Sequence, residues 1–436
     1  MRRKMWMTCM IVLGAITGSL LSQRAGWTRS FGNPVADTLL TVARGTGGET
    51  VLLSVPGPQE AILAGQVSTS GASAAEQERM RKALTTTKTY LVNSKGRIEA
   101  AASVPQIIDF EDPSTGEELQ LELFAVETNG KTRYVVRPDA PPLIGNPANS
   151  DLSLLERNSA LFLLDTGNMS VELLGNPDER SSLMADLARL QTVESGAASD
   201  KNSPQPTSAL NWGQLAHWSP DGRYIAFLSN RDLLGEQLGN SIWVHEHATG
   251  NEIAVSRGQA GRHLVVRGWT PGNELIVDEY TRTDRRALRS TLAALKLDGS
   301  RRSLIRGQGR FVAQSPDGRT LIWLQQRSGR PNELRALDLV SGRQSTIWTD
   351  TANGLHLRSL RVEFSANGQR LVTDLEDARN LQKLLVYNLR TGRTRVVPVH
   401  SGWQLGLPPS WVGNQLLLPL ERRGAARTFL LNPDEQ

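Results

Sequence analysis

The only histidine cluster in this sequence is His245-Glu246-His247; the remaining histidines, His217, His263, His356 and His400, stand alone. On a strand, residues two apart share a face, so both imidazoles could offer a nitrogen to one metal ion. A zinc site would need further ligands, and the same spacing is that of an ordinary exposed strand face. Carboxylates gather twice. Asp374, Glu376 and Asp377 follow an apolar run and read as a loop after a strand. Asp109, Glu111, Asp112, Glu117 and Glu118 surround Pro113. Either group could hold a hard cation through oxygen ligands, or supply a carboxylate pair for glycosidic chemistry. Neither has the regular spacing of a calcium loop, and solvated loop charge is the expectation for both.

Other chemistry is missing from the sequence. No Gly-x-Ser-x-Gly elbow occurs, and the repeats run to the last residues, which leaves no room for a following hydrolase domain. Gly45-Thr46-Gly47-Gly48 lacks the Gly-Lys-Ser/Thr ending of a phosphate loop and precedes a strand rather than a helix, so it reads as a hairpin turn. The sequence therefore assigns no catalytic, cofactor-binding or metal-binding residue and calls for no cofactor.

The elements around these residues recur. His217-Trp218-Ser219-Pro220-Asp221-Gly222-Arg223-Tyr224-Ile225-Ala226-Phe227 and Gln314-Ser315-Pro316-Asp317-Gly318-Arg319-Thr320-Leu321-Ile322-Trp323 are the clearest copies of one unit. Gly268-Trp269-Thr270-Pro271-Gly272-Asn273, Phe364-Ser365-Ala366-Asn367-Gly368 and Ser410-Trp411-Val412-Gly413-Asn414 are degenerate copies. Their glycines, Gly222, Gly272, Gly318, Gly368 and Gly413, are spaced by 50, 46, 50 and 45 residues. Proline presets its own φ within a tight turn, and Asp and Gly suit the positions after it. Alternating apolar residues on both sides read as strands. A second turn recurs in the first four copies at Ala248-Thr249-Gly250, Asp298-Gly299-Ser300, Val340-Ser341-Gly342 and Arg390-Thr391-Gly392. Two hairpins per repeat make a four-stranded antiparallel unit, one propeller blade. Trp218, Trp269, Gln314, Phe364 and Trp411 then share one structural position, where blade-to-blade packing is expected.

These turns, an aromatic-Ser-Pro-Asp-Gly segment before an apolar strand, resemble the TolB-like family of WD-like β-propeller repeats. The resemblance covers residues 212–436 and is weak over 31–175. It implies an all-β propeller and, by analogy with the periplasmic TolB, protein contacts beside the envelope. Similar repeats also cap proteases and occur in polysaccharide lyases, so the resemblance speaks to fold more than to function.

Four more hairpins are legible earlier in the chain. Thr38–Val42 and Val51–Val55 flank the glycine turn; Tyr90–Val92 and Ile98–Ala100 flank Ser94-Lys95-Gly96. Leu119–Val126 and Thr132–Val136 flank Asn129-Gly130; Ala160–Leu164 and Val171–Leu174 flank Asp165-Thr166-Gly167. Four hairpins make two irregular blades, for a total of seven, with six as the alternative. Residues 31–175 are thus expected to form these first blades. Residues 176–211 read as a helical insertion and linker, with a helix starting near Ser181-Ser182 and a Pro-containing stretch from Gly196 to Leu210. Another helix is expected over Ser73–Leu84, and 212–436 are the repeats.

Residues 1–30 read as a signal peptide or an N-terminal membrane anchor. Met1-Arg2-Arg3-Lys4 is a basic start, and Met5 to Leu21 is the apolar run that follows. Positive charge stays cytoplasmic, which places the body outside that membrane. The one cysteine, Cys9, lies inside the run, so the body carries neither thiol nor disulfide. The net charge is +5, of which Arg2, Arg3 and Lys4 supply three, and no dense basic run suits a nucleic-acid backbone.

The expected function is therefore an extracytoplasmic, noncatalytic scaffold that binds a protein or peptide at the cell envelope, touching the membrane only through residues 5–21. The alternative is a lyase or hydrolase acting on polysaccharide or peptide, with carboxylates and histidines converging at a central funnel. The last repeat lacks a fourth strand. An open edge there would invite aggregation, so Thr38–Val42 or Val51–Val55 is expected to pair with, or lie beside, Arg427–Leu431.

Overall fold

A computed structural model describes residues 34–44, 50–55, 87–92, 98–112, 117–128, 131–136, 143–157, 160–174, 214–229, 241–257, 262–284, 287–305, 307–326, 329–350, 354–399, 402–423 and 425–433. Both expected helices, the linker, the N-terminal apolar run and the turns at Gly45, Ser94 and Asn129 lie outside them.

Chain order gives eight antiparallel sheets among the described residues. The first holds β1 (Leu39–Arg44), β2 (Thr50–Val55), β3 (Thr89–Val92) and β4 (Ile98–Ala101). The second has only β5 (Ser103–Asp112), β6 (Glu117–Thr128) and β7 (Lys131–Val136). The third holds β8 (Ile144–Gly145), β9 (Leu152–Arg157), β10 (Ala160–Asp165) and β11 (Ser170–Leu173). Next come β12 (Gln214–Trp218), β13 (Tyr224–Ser229), β14 (Ser241–Glu246) and β15 (Asn251–Ser256), then β16 (Arg262–Trp269), β17 (Leu275–Asp284), β18 (Ala287–Leu295) and β19 (Arg301–Ser303). The sixth sheet is β20 (Arg310–Gln314), β21 (Thr320–Gln325), β22 (Glu333–Asp338) and β23 (Gln344–Thr349). The seventh is β24 (Leu355–Phe364), β25 (Arg370–Asp377), β26 (Gln382–Asn388) and β27 (Thr394–Pro398). In the last, β28 (Gln404–Leu405) and β29 (Ser410–Val412) share one edge of β30 (Gln415–Arg422), and β31 (Ala425–Leu431) takes the other.

The chain is an all-β propeller of antiparallel, mostly four-stranded blades, and it has eight blades rather than the expected seven. The extra blade arises where four hairpins were legible but three sheets form. The β5 strand went unread because its C-terminal half, Asp109 to Asp112, is acidic and ends at Pro113. Those carboxylates are not in a loop: Asp109 faces Gln120, Glu111 faces Glu118 and Asp112 faces Glu117 across a long hairpin. β8 and β9 were likewise missed, being a two-residue strand and its neighbour.

The repeated turns sit where their sequence places them. Ser219–Gly222 joins β12 to β13, and Ser315–Gly318 joins β20 to β21. Ser219 Oγ donates to Asp221 Oδ1 and accepts from Tyr224 N at 2.9 Å, which closes the turn on itself. Ser315 repeats both bonds with Asp317 and Thr320, and Ser365 with Asn367 and Arg370. Gly222 adopts φ 69°, and a Cβ there would lie 2.3 Å from Asn146 Oδ1, so any other residue meets both strain and a clash. Second strands such as β13 and β21 are buried along nearly their whole length, because both faces are covered, and they carry unbroken apolar runs.

Two compact units divide the chain: Met1–Val42, Leu52–Glu99 and Leu355–Gln436 form one, Ala43–Val51 and Ala100–Gly354 the other. Within the second unit, the repeat's shared position joins blade to blade. Trp218 Nε1 donates to Ile144 O at 3.1 Å, Trp269 Nε1 to His217 O at 3.0 Å, and Gln314 Nε2 to Trp269 O at 2.6 Å. Within the first, Trp411 Nε1 donates to Glu363 O at 3.0 Å. Each side chain thus reaches the first strand of the preceding blade.

The first unit also joins the two ends of the chain. Ala36 forms an antiparallel bridge with Thr428 of β31, at the fourth-strand position that the last blade lacks. Thr428, fully buried, donates from Oγ1 to Thr38 O at 2.7 Å and accepts from Leu40 N at 2.9 Å. Leu40 and Leu52 pack with Val412 and Leu417 in one core cluster. The contact expected of the N-terminal strands is present, with its bridge at Ala36, two residues before Thr38. Thr428→Val keeps the shape but strands a buried N–H and carbonyl, so it should cost about 1–3 kcal/mol in urea unfolding; an unchanged midpoint would show that this junction holds nothing.

Candidate functional site

The histidines do not converge. His245 lies on β14 with its Nδ1 3.2 Å from Glu252 Oε1 of the adjacent β15. His247 stands in the following turn, edge-on to Trp218 at 5.8 Å. His217, on β12, is neutral at physiological pH: burial, then the nearby Arg267 guanidinium, pushes its pKa down to about 4 against a raising hydrogen bond at Val266. His263 is exposed at the start of β16, and His356 is exposed on β24. His400 lies outside the described residues. Among the described residues, no three His, Cys, Asp or Glu side chains are placed to hold a metal ion. Asp109 is occupied by Gln120 Nε2 at 2.9 Å on the exposed hairpin.

The other acidic cluster leads to a built site. Asp374, Glu376 and Asp377 are not in a loop but complete β25 itself, and Asp374 is buried. Asp377 caps the β25–β26 turn. Its carboxyl is held below the usual range by the Leu381 N–H at 3.1 Å, against some burial, with help from the Arg379 N–H and Lys383. Asp374 and Glu376 share a strand face, and Arg358 of β24 reaches both, at 3.6 Å and 3.9 Å.

Arg358 stands there because β24 bulges. First strands of the repeat characteristically carry one extra residue against their partner, as between Val266 and Gly268 or Phe311 and Ala313. In β24 the pairing jumps from Leu357↔Leu375 to Val362↔Thr373, so four residues, Arg358 to Arg361, oppose Asp374 alone. The long bulge is pinned from within. Ser359 Oγ donates to Asp374 Oδ1, Arg361 N donates to Ser359 Oγ at 3.2 Å, and Thr373 Oγ1 donates to Arg361 O at 2.7 Å. Bulges re-aim side chains and cluster beside functional sites.

Here the bulge separates two cavities of the first unit. The larger, about 650 Å³, is walled by Arg358, Glu376, Trp403, Gln404, Arg422 and Arg423. The smaller, about 390 Å³, is walled by Arg358, Arg361, Leu405, Leu407, Pro408 and Pro409. Gln404 Nε2 donates to Glu421 Oε1 at 2.7 Å within the eighth blade, and Gln382 Oε1 of the seventh accepts from Leu405 N of the eighth at 2.8 Å, which ties the two blades. Asp374 and Glu376 are thus engaged by Arg358, and Glu421 by Gln404.

Sequence reasoning found the carboxylates but not the arginines. Arg358-Ser359-Leu360-Arg361-Val362-Glu363 alternates like a plain strand, and nothing in it marks four residues as unpaired.

No family model and no curated protein matches the chain. Solved structures do. An oligogalacturonate lyase in complex with manganese is similar at 12% identity and TM-score 0.44, over 76% of this chain and 97% of that one. The β-propeller domain of the Trilobed protease from Pyrococcus furiosus is similar at 9% identity and TM-score 0.46, over 90% and 94%. TolB from Acinetobacter baumannii is similar at 14% identity and TM-score 0.34, over 77% and 80%. The TolB-like resemblance of the turns is therefore met by structural similarity to TolB-like and oligogalacturonate lyase propellers, and these likenesses concern fold alone.

Asp374→Ala should leave Ser359 without its acceptor and Arg358 with one carboxylate. A loss of about 2 kcal/mol is expected in urea unfolding, discounted because Arg358 is partly exposed. Arg361→Ala, whose side chain pairs with no described residue, should stay within about 0.5 kcal/mol. Equal losses for the two would contradict this account of the bulge.

Proposed function

We propose that this chain is an extracytoplasmic, noncatalytic β-propeller that serves as a binding scaffold for a protein or peptide partner at the cell envelope. The observation that carries the reading is the β24 bulge. It projects arginines into a two-chambered groove while its neighbouring carboxylates are consumed in holding it. A general acid or base needs a carboxyl or imidazole free to approach the reacting atom, and the groove's acidic groups are already engaged. Binding asks only for shape, apolar surface and a few placed charges.

The extracytoplasmic part of this reading is supported by the basic start at Arg2, Arg3 and Lys4 and the apolar run over residues 5–21. That run either leaves after export or stays as the protein's one attachment to the membrane. An alkaline phosphatase fused after Gln436 should be active in cells, whereas a fusion lacking residues 1–30 should be silent. Activity without residues 1–30, or silence with them, would overturn the placement.

A further inference from the structure

We infer that the groove beside the β24 bulge takes an extended peptide carrying carboxylates spaced by aliphatic side chains. This inference rests on the scaffold reading and names its ligand class.

Charge supplies the first part. Four arginines and four carboxylates line the two cavities, so the formal charges cancel. What matters is which of them remain available. Asp374 and Glu376 are held by Arg358, and Glu421 accepts from Gln404. Arg422 is likewise engaged. Arg361 and Arg423 are exposed and form no ion pair with any described residue. One lines each chamber, so each chamber offers a guanidinium with no side-chain partner among the described residues. Guanidinium groups favour carboxylates through paired, charge-assisted hydrogen bonds.

Backbone conformation adds a second, independent sign. Arg423 sits in the β30–β31 turn at φ 43°, the left-handed region where glycine is the low-cost choice. Strain of this kind, on the order of 1 kcal/mol, tends to be kept where the side chain serves a purpose.

The walls decide between ligand classes. A sugar chain is commonly gripped by flat aromatic faces against successive rings, but Trp403 is the only aromatic among the described residues that line either chamber. The remaining apolar lining is aliphatic: Leu381 and Val399 in the larger chamber, Val372, Leu405 and Leu407 with two prolines in the smaller. Such walls fit Leu, Ile or Val side chains. A strand-like peptide that alternates them with Asp or Glu would present both to the groove.

The test is fluorescence anisotropy with the full-length protein and a short labelled peptide of alternating Asp and Leu. Its Asn/Leu and Lys/Leu counterparts and a soluble acidic oligosaccharide serve as comparisons. The acidic peptide should bind, the Asn and Lys peptides should not, and Arg361→Glu and Arg423→Glu should each weaken binding by about tenfold or more. Circular dichroism should show both variants folded, since neither side chain holds the bulge. Absence of binding, binding unaffected by both variants, or equal competition by the oligosaccharide would overturn the inference. The scaffold reading is tested separately by crosslinking from envelope fractions. A protein partner retained by both charge-reversed variants would sink the groove assignment and leave the scaffold standing, while failure to crosslink any specific partner would sink the scaffold itself.

Discussion

The rest of the structure depends on one hydrogen bond, used repeatedly. A side-chain N–H on the first strand of a blade reaches a backbone carbonyl on the first strand of the blade before it. Trp218, Trp269, Gln314 and Trp411 all make this bond. The acceptor lies one residue before the neighbour's own donor in the case of Trp269, while Gln314 bonds the carbonyl of Trp269 itself. Each such bond contributes only about 1 kcal/mol net, but a tryptophan in that place also buries a large ring. The repeat therefore fixes the spacing of its blades with the same residue that fills the space between them. Gln314 keeps the hydrogen bond without the ring, and Phe364 keeps the ring without the donor, so both parts of the function are separable within one molecule.

That regularity gives the β24 bulge its meaning. In a repeat protein each unit repeats the same solution to the same packing problem, and a local departure needs its own support. The first strands β12, β16 and β20 each accommodate one extra residue near the shared position. β24 accommodates three, and a buried aspartate stabilises them. Asp278 occupies the matching place in β17, where Ser290, Tyr280 and Arg267 surround it without any long bulge. The same carboxylate position thus serves a compact polar junction in one blade and anchors an outward loop of arginines in another.

Much of the fold was legible because turn chemistry is local. Pro-Asp-Gly and its variants announced five first hairpins, and every expected second turn from Gly250 to Gly392 joins the strands it was expected to join. The blade count was not legible. β5 ends in acidic residues beside a proline, and β8 is two residues long, so neither carries a period that a sequence can display. The junction of the chain ends was anticipated from the missing fourth strand, yet Ala36 rather than a full strand fills it, and no periodic pattern marks a single bridge. The groove escaped for a related reason. Asp374 and Glu376 were visible as a cluster, but their partners are set by a register shift, and register follows from three-dimensional pairing.

The proposed scaffold function makes the groove around the β24 bulge the surface that meets a partner. Hydrogen–deuterium exchange on the full-length protein, alone and with its crosslink-identified partner, tests this directly. The account predicts slowed exchange confined to residues 355–364 and 402–423 when the partner is bound. Protection on the β16–β18 surface instead, with 355–364 and 402–423 unchanged, would contradict it.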